Sequence, residues 1–187
     1  FHPLNAYDDG EQIVLEVPRY ERVFDAVRNG PTESSPTFDR WVIDLEAGKV
    51  RTSRIDDRKH EFPRLDERLV GRRHRYGYTV ADRDSGWFDT VVKHDFAQAT
   101  ASDRSFGDGK EVGEFVFVPR AADAAEDDGV LMGFVYDKAE DRSDLILLDA
   151  GTLDTVAAIH LPNRVPTGLH GNWVPARLRA RPRPRCT

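Results

Sequence analysis

What most restricts the fold of this chain is a scarcity of helical periodicity combined with a recurring strand signature. Few stretches place apolar residues at i, i+3, i+4 and i+7. Short β-branched and aromatic runs bounded by Gly, Pro, Asp and Asn are plentiful instead. These runs predict strands at Gln12–Val17, Arg40–Asp44, Val50–Arg54, Arg75–Val80, Thr90–Asp95, Glu114–Val118, Gly129–Tyr136, Asp144–Asp149 and Val156–His160. Only Tyr20–Arg28 has the spacing of a short helix. The expected class is all-β.

A loose repeat runs through the strands. Trp41-Val42-Ile43-Asp44-Leu45, Val91-Val92-Lys93-His94-Asp95-Phe96 and Leu145-Ile146-Leu147-Leu148-Asp149-Ala150 each run apolar into an aspartate, then turn toward another strand. The three aspartates fall about 50 residues apart, a period expected of β-propeller blades with about four short strands each. A sandwich built of meanders also offers hairpins with Asp at the turn, so periodicity prefers a propeller without excluding a sandwich. At about 50 residues per unit the chain holds three to four units, whereas propellers close with about 4–8 blades. An open arc leaves strand edges unburied, so the expectation is part of a larger fold. That the first residue is Phe1 and the sole methionine is Met132 also makes the chain read as a fragment.

Composition narrows the function classes. With 39% hydrophobic residues the chain can bury an ordinary core, and no apolar run reaches the roughly 18 residues of a membrane span. Peripheral contact with a membrane is left open. A net charge of -6 argues against nucleic acid. Arg177, Arg179, Arg181, Arg183 and Arg185 crowd into a tail, 176–187, expected to be disordered and given no function. One cysteine, Cys186, forms no internal disulfide, and a cytoplasmic setting is the default expectation.

Among the 6 histidines, His2 and His170 lie in Gly-, Pro- and Asn-rich junctions between loop and strand, where a backbone can aim a side chain inward. His94 alternates within a strand, and His60 and His74 sit among Arg and Lys; these read as surface or interstitial residues. No His-Glu-x-x-His, Cys-x-x-Cys or short-range histidine pair is present. Spacing alone does not make ligands of His2 and His170.

The surrounding motifs are more specific. Phe1-His2-Pro3-Leu4-Asn5-Ala6-Tyr7-Asp8 resembles the carotenoid cleavage oxygenase pattern in which a histidine precedes Asn-Ala-[Tyr/Phe]-Glu. Glu61-Phe62-Pro63-Arg64-Leu65 with Arg75-Tyr76-Gly77-Tyr78 is similar to a second motif of that family. Glu114-Phe115-Val116-Phe117-Val118-Pro119-Arg120 with Glu126-Asp127-Asp128-Gly129 is similar to a third. Pro166-Thr167-Gly168-Leu169-His170-Gly171-Asn172-Trp173 resembles its terminal Pro-x-Gly-Phe-His-Gly. The motifs occur in family order over residues 1–175.

The resemblance implies a seven-bladed β-propeller, of which this chain would supply the last three to four blades. It implies an axial iron(II) held by histidines from separate blades, most of them backed by a glutamate. Carried over residue by residue, His2 and His170 would be ligands, with Glu61 behind His2 and Glu114 behind His170. The other half of the ligand set would lie outside this chain. A ligating imidazole normally donates its other N–H to a carboxylate, which is the chemistry such a pairing needs. Without the motif, Glu114 would read as an exposed strand residue and Glu61 as an offset to Arg58, Lys59 and Arg64.

The implied reaction is scission of a conjugated carbon–carbon double bond by O2 to give two carbonyls, on an apolar carotenoid, apocarotenoid or stilbene. Phe1, Phe62, Leu169 and Trp173 adjoin the motifs as candidates for the cavity wall, with blade core as the competing role. Leu169 replaces the family's Phe and Asp8 its Glu. Two imidazoles alone make an open, weak site, so the 187 residues by themselves are expected to be inactive. The alternatives are a non-catalytic propeller binding module, which would have lost the ligand and glutamate positions, and a zinc hydrolase, which would need a general base beside a metal-bound water.

Overall fold

The computed structural model describes residues 2–28, 33–83 and 86–175. Alternating apolar and polar residues build three antiparallel sheets, each a four-stranded meander of consecutive strands. The first contains β1 (Asn5–Asp9), β2 (Gln12–Arg19), β3 (Thr37–Asp44) and β4 (Lys49–Asp56). The second contains β5 (Lys59–Arg64), β6 (Tyr76–Asp82), β7 (Thr90–Asp95) and β8 (Thr100–Ser105). The third contains β9 (Lys110–Pro119), β10 (Gly129–Asp137), β11 (Arg142–Asp149) and β12 (Thr155–His160). These are three β-propeller blades, the lower figure of the expected three to four. Contacts between sheets run through β5 and β9 and through β2 and β5, while the fourth strands β4, β8 and β12 are largely exposed.

All the expected strands are present, most of them longer than anticipated. The strands that sequence patterning missed are β1, β5 and β8, whose Asn-Ala-Tyr-Asp-Asp, Lys-His-Glu-Phe-Pro-Arg and Thr-Ala-Ser-Asp-Arg-Ser lack a continuous apolar face. The expected helix at Tyr20–Arg28 is not formed. Phe24 takes φ 58, outside helical space, and the backbone N–H groups of Asp25, Ala26 and Val27 donate to the Glu33 carboxylate. With Phe24 and Val27 exposed, no apolar face anchors a helix there.

The repeated aspartates have one local job. Each ends the third strand of its blade and folds the turn into the fourth. Asp44 accepts from the N–H of Ala47, Asp95 from Ala97 and Gln98, and Asp149 from Gly151 and Thr152. The period near 50 residues is therefore one capped hairpin per blade.

The two seams between blades differ. The seam between the second and third blades is apolar, joining Tyr78, Val80 and Val91 to Phe115, Phe117, Leu131, Leu148 and their neighbours. Each such fully buried side chain contributes about 1.5–3 kcal/mol. The Glu126-Asp127-Asp128 motif clamps this region: Glu126 accepts from the N–H of Arg75 and Tyr76, Asp127 from Lys93 Nζ, and Asp128 from Arg120. Gly129 follows because a Cβ there would lie 2.3 Å from the Val118 carbonyl oxygen.

The seam between the first and second blades has a small apolar cluster, Leu4, Phe38 and Leu65, beside buried histidines. His60 Nδ1 lies 2.8 Å from Thr79 Oγ1, which lies 3.0 Å from His94 Nε2, and His60 Nε2 faces Asp56 at 3.2 Å. Burial, reinforced by the nearby His60, pushes His94 down to about 3. Burial alone would raise Asp56, but hydrogen bonds from His60 and Arg58 hold its carboxyl well below the usual range. His74, also buried, is pushed by burial down to about 4. These histidines are interstitial; their Arg and Lys neighbours in sequence point elsewhere.

Candidate metal centre

Both glutamates singled out by the motifs stand at β-bulges on the first strand of a blade. On β5, Glu61 pairs with Val80 and Arg64 with Tyr78, so three residue steps match two on β6. The extra residue is accommodated at Phe62, whose φ is 48. Val80 and Tyr78 share a face, so the bulge brings Glu61 and Arg64 onto one face, where a regular strand would oppose them. On β9, Val112 pairs with Val135 and Phe115 with Gly133, leaving Gly113 and Glu114 in the same kind of bulge. Bulges re-aim side chains, and here they re-aim carboxylates.

Glu61 is 6% exposed and receives three donors. His2 Nδ1 lies 2.7 Å from Oε2, the Phe62 N–H donates to Oε2 at 2.9 Å, and the Tyr20 hydroxyl donates to Oε1 at 2.5 Å. Burial, with the hydrogen bond to Glu61, pushes the Tyr20 hydroxyl far above its ordinary value and keeps it a donor. Tyr20 was missed in the sequence because it lies in the segment read as helix, 41 residues from Glu61. His2 has φ 60, and its ring stacks on Phe62 at a centroid distance of 6.2 Å. Leu4 N–H donates to Glu16 O, and Asn5, the first residue of β1, is buried against the loop that follows β5. Its side chain accepts from the Gly71 N–H and faces Arg72 O and His74 Nδ1. The Asn of the first motif thus anchors the segment that carries His2.

His170 Nδ1 lies 3.2 Å from Glu114 Oε1, and the Gly171 N–H donates to Oε2 at 2.8 Å. Glu114 is 6% exposed and His170 is 49% exposed. The structure thus places His2 on Glu61 and His170 on Glu114, and it also brings the two imidazoles together, with Nε2 of one 3.3 Å from Nε2 of the other.

That contact tests whether a metal suits these residues. An ionised carboxylate only accepts hydrogen bonds, so each Nδ1 donates, and a neutral ring then presents its Nε2 lone pair. Two lone pairs facing each other at this distance repel unless a cation or a proton lies between them. Metal–imidazole bonds of about 2.0–2.1 Å put two nitrogens of one ion roughly 3.0–3.4 Å apart. The observed separation fits. Among the described residues no group of three or more His, Cys, Asp or Glu side chains converges on such a point; two imidazoles do.

An apolar cavity of about 360 Å3 adjoins His170. Leu169, Met132, Phe134, Leu145, Glu114 and His170 are part of its wall. Of the expected cavity residues only Leu169 lines it. Phe62 packs between the imidazoles and Phe88, Trp173 is half-exposed outside the cavity, and Phe1 lies outside the described residues. The tail 176–187 lies outside them too. Among the described residues no helix is long and apolar enough to cross a membrane.

An arc of propeller blades whose bulged inner strands back two converging imidazoles with carboxylates defines the class. The sequence profile of the retinal pigment epithelial membrane protein family matches residues 1–175. A carotenoid cleavage oxygenase of Mycobacterium tuberculosis is 43% identical over 187 residues, an alignment covering 94% of this chain and 37% of that protein. Lignostilbene-alpha,beta-dioxygenase isozyme III of Sphingomonas paucimobilis is 33% identical, with 94% of this chain and 41% of that protein covered. Cobalt-substituted Synechocystis ACO superposes with a TM-score of 0.86 at 30% identity, over 94% of this chain and 39% of that structure. The chain belongs to the retinal pigment epithelial membrane protein family, the carotenoid cleavage oxygenase family whose motifs it resembles. It spans about two fifths of the length of these relatives.

Proposed function

We propose that His2 and His170 are two ligands of an iron(II) centre in a non-haem dioxygenase that splits a conjugated double bond of a carotenoid, apocarotenoid or stilbene. The observation that carries this reading is the 3.3 Å approach of the two Nε2 atoms while both Nδ1 atoms rest on carboxylates. Imidazole suits iron, zinc and copper alike; iron follows from the family. Bound there, iron(II) would supply O2 activation for a scission that yields two carbonyls.

The residues described here do the rest. Glu61 and Glu114 fix the tautomers of His2 and His170 and strengthen them as donors. Tyr20 and the Phe62 N–H hold Glu61 in place. The apolar wall beside His170 receives part of an elongated hydrocarbon and excludes water from it. On this reading the 187 residues alone, with two donors, retain metal weakly and turn over no substrate.

The test is to load the intact protein with iron(II) and supply an apocarotenal and a lignostilbene in separate reactions under labelled O2, following carbonyl products by mass spectrometry. One of the two should yield labelled aldehydes, and His2→Ala and His170→Ala should each abolish both iron retention and product. Undiminished product from either variant would overturn the assignment.

A further inference from the structure

We infer that Arg64 is the positioning residue for His170, acting by locking the turn that carries it. The inference rests on the reading of His170 as a ligand. Residues 161–175 belong to no strand, so no ladder of backbone hydrogen bonds places the imidazole. Side chains must do so, and the Arg64 guanidinium is the hub. Its Nη2 lies 3.1 Å from Gly171 O, 3.2 Å from Asn172 Oδ1 and 3.1 Å from Glu67 Oε1, so its two hydrogens are shared among three acceptors. Its Nη1 lies 3.6 Å from Glu114 Oε1, the oxygen that faces His170 Nδ1. Asn172 closes the loop by donating from Nδ2 to Glu67 Oε2.

A bland alternative is a surface ion pair between Arg64 and Glu67, three residues apart on the chain, which would contribute little. The burial and the acceptor set point further. Arg64 is 17% exposed, and two of its acceptors lie 107 and 108 residues away in the turn that holds His170. A planar guanidinium holds Nη2 on the turn and Nη1 toward Glu114 in one fixed geometry, which an ammonium on a flexible stem does not. The β5 bulge explains how one short segment serves both halves of the centre. It sets Glu61 and Arg64 on the same face, so Glu61 orients His2 directly while Arg64 reaches Glu114, the carboxylate beside His170, and the carbonyl of Gly171, the residue that follows it.

The test is cobalt(II) titration of the intact protein, followed by visible absorption, with apo-protein melting measured alongside. Arg64→Gln should weaken cobalt affinity about 10–100-fold, the usual range for groups that orient a ligand, and should alter the cobalt spectrum. The apo melting temperature should stay near that of the parent. Arg64→Lys, which keeps the charge and a single donor nitrogen, should restore part of the affinity. Parent-like affinity and spectrum in Arg64→Gln would overturn the inference. So would a loss matched by a fall in melting temperature and unrescued by lysine, which would make Arg64 a folding residue only. His170→Ala serves as the control on the underlying reading: unchanged cobalt affinity in that variant would remove His170 from the ligand set, whatever Arg64→Gln does.

Discussion

His2 enters the centre three residues ahead of a strand ladder that begins at a buried asparagine, against a glutamate that also holds a tyrosine hydroxyl and a backbone N–H. His170 enters from a segment without a ladder, is 49% exposed, and meets its glutamate at 3.2 Å where His2 meets its own at 2.7 Å. The chemistry of the two pairs is the same: a carboxylate at a β-bulge accepts from Nδ1 and leaves Nε2 to face the partner. Their supports are not. One imidazole is held by the fold, the other by a clamp of side chains, and the two respond to different perturbations.

Acid should act on the better supported pair first. The seam beneath it carries His94 at about 3 and His74 at about 4, both below the ordinary 6.5. The unfolded chain therefore takes up protons before the folded one as pH falls below about 6.5. The stability that depends on neutral His94 and His74 is complete above that value. It is lost progressively on acidification through pH 4 and toward 3. Hydrogen exchange between pH 7 and 4.5 should show β1 and β2 loosening before β9 and β10, and the reverse order would break the comparison.

Removing the carboxylates should separate orientation from stability. Glu61→Ala and Glu114→Ala should each weaken metal binding about 10–100-fold. Glu61→Ala should also cost about 1–3 kcal/mol in urea denaturation, because it strands the Tyr20 hydroxyl and the Phe62 N–H. Glu114→Ala should cost less than about 1 kcal/mol, since the exposed Gly171 N–H can turn to water. Equal losses of stability would mean that the two supports are equivalent.

The smallest effect on metal affinity is also the most local. At Gly133 an added Cβ would lie 2.7 Å from Glu114 O and 2.5 Å from the Phe115 ring. Gly133→Ala should destabilise by about 1–3 kcal/mol and shift Glu114, with a metal-affinity loss of only a few-fold. In ring-proton spectra the His170 resonances should move while those of His2 stay in place.

Much of the architecture was legible along the chain. Apolar runs such as Val91-Val92 and Leu145-Ile146-Leu147-Leu148 mark central strands because those strands are buried by their neighbours, and the spaced aspartates mark the turns they cap. Strands β1, β5 and β8 were hidden, since a sheet edge or a strand beside a polar centre needs no apolar face. Local sequence likewise hid the burial of His60 and His94, because alternation sends their charged neighbours to the opposite face.

For the centre itself, the motifs were enough to name which residues could take part: two histidines and two glutamates, through resemblance. Only the packed blades bring the imidazoles together, set Tyr20 on Glu61, and carry Arg64 past its sequence neighbour Glu67 to the turn that holds His170. The reason is geometric. A bulge changes which face a residue occupies without leaving a residue-type signature of its own, and contacts 59 and 56 residues apart exist only once the blades have packed.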